Sequence, residues 1–198
     1  PTAIGSKVIE IAELWRGLYN LPEAFDPARD FDRLWNDGDT FTIGNIDVRV
    51  MLSPGHTLGS ITYVVGDAAF VHDTLMYPDM GSSRADFPGG SSRTLWASIR
   101  EILSLPGDTR LFVGHDYGTD SRDEIQWEAT VDEHRRDNAH VSDGTSEAEF
   151  VETRDTRDAT LDLPDRMLHA LQVNLRGGRL PPAESDGNHY FKIPANRF

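Results

Sequence analysis

No cysteine occurs anywhere in the 198 residues, and lysine is nearly absent, with Lys7 and Lys192 the only two. The first absence excludes disulfide scaffolds, thiolate zinc sites and a cysteine nucleophile, so any metal must be held by His, Asp or Glu. The second leaves arginine to supply nearly all of the 19 basic residues against 33 acidic ones, a formal net charge of −14. A surface that tracks phosphates needs clustered Lys and Arg, and no such cluster appears, so no nucleic-acid partner is expected. No apolar run approaches the roughly 20 residues that cross a bilayer, and the first residues are not a charged-then-apolar leader. No membrane partner is therefore expected, and the cytoplasm is the expected location. A Gly-x-Ser-x-Gly elbow is also missing, which removes a serine-hydrolase reading.

What is present is a chain with 38% hydrophobic residues, enough for one sizeable core and an appendage. Residues 7–19 place Val8, Ile11, Ala12, Trp15 and Leu18 on one helical face. Residues 22–36, rich in Pro and Asp, predict an ordered loop. A hairpin follows, with strands at 41–43 and 46–52 around Gly44-Asn45, and a second strand pair spans 61–65 and 68–71 around Gly66-Asp67. Residues 91–105 predict a helix with Leu95, Ile99, Ile102 and Leu103 inward, and residues 111–113 a short buried strand. Residues 124–138 predict a charged amphipathic helix, and residues 147–159 and 164–175 two more. The change of pattern near residue 140 divides the chain into an α/β part, 1–139, and a helical extension, 140–198, expected to pack on it.

Three segments place a His or Asp directly after an apolar run: Ser53-Pro54-Gly55-His56-Thr57, Val71-His72-Asp73-Thr74 and Val113-Gly114-His115-Asp116-Tyr117. Imidazole and carboxylate converging from strand ends suit iron, zinc or manganese. Each tripeptide alone has an ordinary explanation, His56 as an exposed loop residue and Asp73 as a turn or cap. The ordered set resembles the metallo-β-lactamase superfamily, within it the persulfide dioxygenase and glyoxalase II-like branch. That family also carries a His-x-His-x-Asp-His motif upstream, which this sequence lacks, so the chain is expected to be an N-terminally incomplete copy. The resemblance implies an incomplete αββα sandwich of class α/β, with an unpaired sheet edge and exposed apolar surface.

It further implies His56, Asp73 and His115 at the metal site, with Arg84 and Tyr117 toward substrate. Arg84, in Ser82-Ser83-Arg84-Ala85-Asp86-Phe87, is expected chiefly to brace Asp86 and secondarily to meet a substrate carboxylate; Tyr117 has a rim or core aromatic as its alternative. Family members commonly have Gly where His72 stands, and His72 is not assigned as a ligand. The histidines His134, His140, His169 and His189 are expected on the surface or in helix packing.

Two chemistries follow from the resemblance. In a mononuclear non-haem Fe(II) dioxygenase, His56 and Asp73 join a His from the absent motif, His115 stays outside the ligand set, and the substrate is glutathione persulfide. In a dinuclear Zn(II) or Mn(II) hydrolase of thioesters or lactones, Asp73 bridges two ions and His115 holds the second. A degenerate binding module is the third reading, opposed by the survival of His56, Asp73 and His115 together. The partner in either enzyme is a small thiol-containing substrate, glutathione-based, and a homodimer is the assembly to test.

Overall fold

Alternating apolar residues and well-placed turns produce a mixed α/β chain, seen in a computed structural model that describes residues 1–197. The elements in order are β1 (Ala3–Gly5), α1 (Val8–Tyr19), α2 (Pro27–Asp30), β2 (Arg33–Trp35), β3 (Thr40–Ile43), β4 (Ile46–Leu52), β5 (Ile61–Val65) and β6 (Ala68–His72). There follow α3 (Ser92–Ile102), β7 (Arg110–Val113), β8 (Glu128–Thr130), α4 (Val131–Asp137), α5 (Glu147–Asp158) and α6 (Met167–Asn174). The chain forms two units, Asn36–Thr160 and a second made of residues 1–35 with those from 161 onward.

The unit Asn36–Thr160 carries a six-stranded sheet in the order β3-β4-β5-β6-β7-β8. Four strands run as an antiparallel meander, β6 and β7 are parallel, and β8 returns antiparallel. A parallel pair needs a crossover, and α3 supplies it. The inward face of α3, Leu95, Ile99 and Ile102, is fully buried against Met51, Ala69, Val71 and Leu111 of the sheet, as its spacing predicts. Each such side chain is worth roughly 1.5–3 kcal/mol relative to exposure. At the sheet's first hairpin Ile43 and Ile46 are exposed, and Phe70 is half exposed, stacked on Phe112.

In the second unit, β1 and β2 form a two-stranded parallel sheet. The α1 residues Val8, Ala12, Trp15 and Tyr19 cluster with Phe25 and Leu175. No helix among the described residues is long and apolar enough to cross a membrane.

Three expectations are corrected. Residues 22–36 hold regular structure, because Asp26 caps α2 with Pro27 at its first position and β2 then pairs with β1. The helix expected over 124–138 starts only at Val131, where Thr130 and Glu133 form a capping box; the residues before it give β8 to the sheet. The division falls at residues 35 and 160 rather than near 140, since α5 buries Phe150 in the same cluster as α3.

Candidate functional site

The loop after β4 is fixed before it presents His56. Ser53 is buried with its hydroxyl 3.0 Å from Thr62 Oγ1, and the Pro54 carbonyl accepts from Ser98 Oγ at 2.7 Å. Gly55 has φ +139°, and a Cβ there would lie 2.2 Å from Leu95 Cα, so only glycine permits this approach to α3. His56, 9% exposed, then lies with Nδ1 2.7 Å from the Arg84 carbonyl oxygen. A carbonyl only accepts, so Nδ1 carries the hydrogen and Nε2 of the neutral ring carries a lone pair. Burial pushes the imidazole below the usual histidine range, against the opposing pull of the Arg84 carbonyl and Asp73, which favours that neutral form.

Asp73 stands at the carboxyl end of β6, where the ladder to β7 is irregular between Phe70 and His72. His72 has φ +54°, a left-handed position that explains why glycine is common here in the family that the sequence resembles. The turn delivers Asp73 beside Gly114, whose absent Cβ would fall 2.7 Å from Asp73 Oδ1. Ser83 Oγ donates to the Asp73 carbonyl. His115 Nδ1 lies 2.6 Å from Asp73 Oδ1. His115 is exposed, and its ring lies parallel to that of Tyr117 with centroids 6.0 Å apart; Tyr117 is 74% exposed.

Asp73 Oδ2 faces His56 Nε2 across 3.8 Å. Two lone-pair atoms facing each other in a half-dry site repel unless a cation lies between them. Metal–N and metal–O bonds of about 2.0–2.2 Å set neighbouring donors roughly 3.0–3.5 Å apart, so this pair stands a few tenths of an ångström wider than the spacing it would take on a first-row ion. Among the described residues, no group of three or more His, Asp or Glu is arranged to hold one. His115 engages the carboxylate itself through Nδ1, and the three expected residues meet as a chain, His56–Asp73–His115.

Arg84 Nε and Nη2 each lie 2.6 Å from Asp86 carboxylate oxygens, the bracing the sequence suggests, and its guanidinium covers the Phe87 ring. Phe87 in turn meets His56 edge-on at 5.2 Å. Sequence reasoning missed the Arg84 carbonyl, which no side-chain pattern announces. It also missed Arg122, which pairs with the buried Asp116 at 2.6 and 2.9 Å and with Asp79 at 2.7 and 2.8 Å. The Arg122 hydrogen bonds hold the Asp116 carboxyl well below the usual range. This pair fixes the loop that follows His115, and only the shared segment with His115 hinted at it. His134 is fully buried on α4, the helix packing expected of it, and His140 in the loop after α4 is half-buried.

Known proteins resemble the chain in sequence and in fold. No family model matches the chain. A β-lactamase hydrolase-like protein of Xylella fastidiosa is 55% identical over 99% of the chain, which spans 45% of that relative's length. A probable metallo-hydrolase of Burkholderia pseudomallei is 46% identical over 97% of the chain and 69% of its own length. The human mitochondrial persulfide dioxygenase ETHE1 is 34% identical over 74% of the chain and 54% of its own length. The crystal structure of ETHE1 from Myxococcus xanthus superposes with a TM-score of 0.67 at 29% identity, covering 75% of this chain and 62% of that one. The mixed α/β fold and these relatives agree: the chain belongs to the metallo-β-lactamase superfamily.

Proposed function

We propose that this chain carries most of the catalytic layer of a non-haem iron dioxygenase that oxidises a glutathione-type persulfide. The observation that carries the reading is the role of His115. Its Nδ1 donates to Asp73 Oδ1, so its contact in the site is with the carboxylate, while His56 Nε2 and Asp73 Oδ2 face each other. Two donors from this chain suit a single ion held by two His and one carboxylate, with the remaining His supplied by residues outside the present sequence. The persulfide dioxygenase relative supports the same reading.

Iron bound there would supply redox chemistry and open positions for substrate and dioxygen. The chain's own residues do the rest. His56, held by the Arg84 carbonyl, offers Nε2 in a fixed direction; Asp73 is oriented by His115 on one oxygen and leaves the other available. Phe87 keeps water from the His56 ring, and Tyr117, exposed beside His115, is placed to meet the thiol substrate. The balanced reaction is RSSH + O₂ + H₂O → RSH + SO₃²⁻ + 2H⁺, in which the outer sulfur is oxidised and dioxygen reduced.

The metallo-hydrolase relative favours a second reading, a glyoxalase II-like enzyme on a thioester or lactone, in which His115 would release Asp73 to hold a second ion, Zn(II) or Mn(II). An oxygen electrode separates the two in the protein extended to the length of its relatives. Oxygen uptake with glutathione persulfide is the expected result; cleavage of S-lactoylglutathione without oxygen uptake would replace the dioxygenase with the hydrolase.

A further inference from the structure

The Arg84–Ala85 peptide is bonded on both sides. Its carbonyl oxygen accepts from His56 Nδ1 at 2.7 Å, and its N–H, which points the opposite way in a trans peptide, donates to Asp158 Oδ2 at 2.7 Å. Asp158 lies at the end of α5 and is almost wholly buried. Its other oxygen accepts from Arg154 Nη2 at 2.9 Å, and Arg154 Nη1 donates to the Ser82 carbonyl at 2.8 Å. His140 Nδ1 accepts from the Ser82 N–H at 3.0 Å, so the segment is held from α5 and from the loop after α4.

We propose that Asp158 is a positioning residue for the metal-binding edge of His56, acting through the Arg84–Ala85 peptide, with Arg154 holding Asp158 in place. A carboxylate on the N–H polarises the peptide and makes its carbonyl a stronger acceptor. That bond fixes the Nδ1–H tautomer, directs Nε2 toward Asp73 and raises its basicity, as a carboxylate does when bonded directly to a ligating histidine. The two side chains are 102 residues apart in sequence, and a single peptide plane joins them. The inference rests on His56 being a metal ligand, but its first consequence is visible without metal.

The test is the His56 ring tautomer, read by long-range ¹H–¹⁵N correlation on the metal-free chain. In the parent chain the Nδ1–H form is expected to dominate. Asp158→Asn keeps an acceptor for Ala85 N–H and removes the charge, and the Nε2–H form is expected to rise severalfold. Arg154→Lys keeps a cation, loosens Asp158 and is expected to shift the tautomer in the same direction to a smaller extent. Phe150→Leu weakens the packing of α5 without touching the polar chain, so it should lower the unfolding midpoint and leave the tautomer alone. An Nε2–H form in the parent chain, or an unchanged tautomer in Asp158→Asn, would overturn the proposal. If Asp158→Asn does not fold, an unchanged tautomer in Arg154→Lys overturns it alone. Zinc titration is the separate arm: about tenfold weaker binding is expected in Asp158→Asn. That arm uses the protein extended to the length of its relatives: zinc that leaves the His56 signals untouched in that parent removes the metal reading, whereas a tautomer that follows Asp158 still establishes the coupling.

Discussion

His56 and His115 flank the same carboxylate and are built in opposite ways. His56 is 9% exposed, bonded to a main-chain carbonyl, and backed by a buried ion pair on α5. The His115 side chain is 56% exposed, bonded to Asp73 itself, and backed by the Arg122–Asp116 pair in a surface loop. The first arrangement fixes a lone pair in space before anything binds, at the cost of desolvating an imidazole. The second keeps a ring that can leave the carboxylate without disturbing a core. The difference assigns the essential ligand to the buried side and an adjustable role to the exposed one.

The largest test of that contrast compares the two arginines. Arg154→Met leaves Asp158 as an unpaired buried carboxylate, so global stability should fall by about 3–5 kcal/mol in urea titration. Arg122→Met should chiefly release the loop after His115, seen as faster hydrogen exchange over residues 116–126 with a smaller change in midpoint. Equal losses of global stability would erase the proposed distinction.

The glycines give the next effect. Gly55→Ala drives a Cβ into the backbone of Leu95 at a left-handed φ, and should cost about 3 kcal/mol and displace His56. Gly114→Ala meets the end of the Asp73 side chain, which can swing away, so it should cost about 1 kcal/mol while breaking the His115–Asp73 bond. Thermal unfolding of both variants checks the order.

A smaller, pH-dependent effect belongs to the buried side alone. Burial holds His134 down to about 4 in the fold, against about 6.5 when unfolded. Between those values the unfolded chain binds a proton that the fold refuses, so stability falls as pH falls. From pH 7 to pH 5 the loss from His134 should be about 2 kcal/mol, with little change above pH 7. His140, also held down to about 4 by burial and then by Arg154, acts in the same direction. His134→Leu should flatten the slope in urea titrations at the two pH values; an unchanged slope would show that His134 does not cause it.

The strands β4, β6 and β7 were legible as apolar runs that stop one to four residues before His56, Asp73 and His115. The inward stripe of α3 was legible because Leu95, Ile99 and Ile102 repeat at helical spacing. Residues 124–138 misled because charges at helical spacing continue into β8, and only the Thr130–Glu133 cap marks the real start. The support of His56 was not legible at all. It depends on a main-chain carbonyl at Arg84 and a carboxylate at Asp158, groups without local pattern that only the folded loop brings together. His72 was seen as a departure from glycine, but its meaning required the left-handed φ.

The most direct test of the account is metal content per chain in the protein extended to the length of its relatives, measured for the parent, His56→Ala and His115→Ala. One iron in the parent, none in His56→Ala and one in His115→Ala is the predicted result, because His56 Nε2 faces Asp73 Oδ2 while His115 spends its Nδ1–H on the other carboxylate oxygen. Two metals in the parent, with one lost in His115→Ala, would contradict it and make His115 a ligand in its own right.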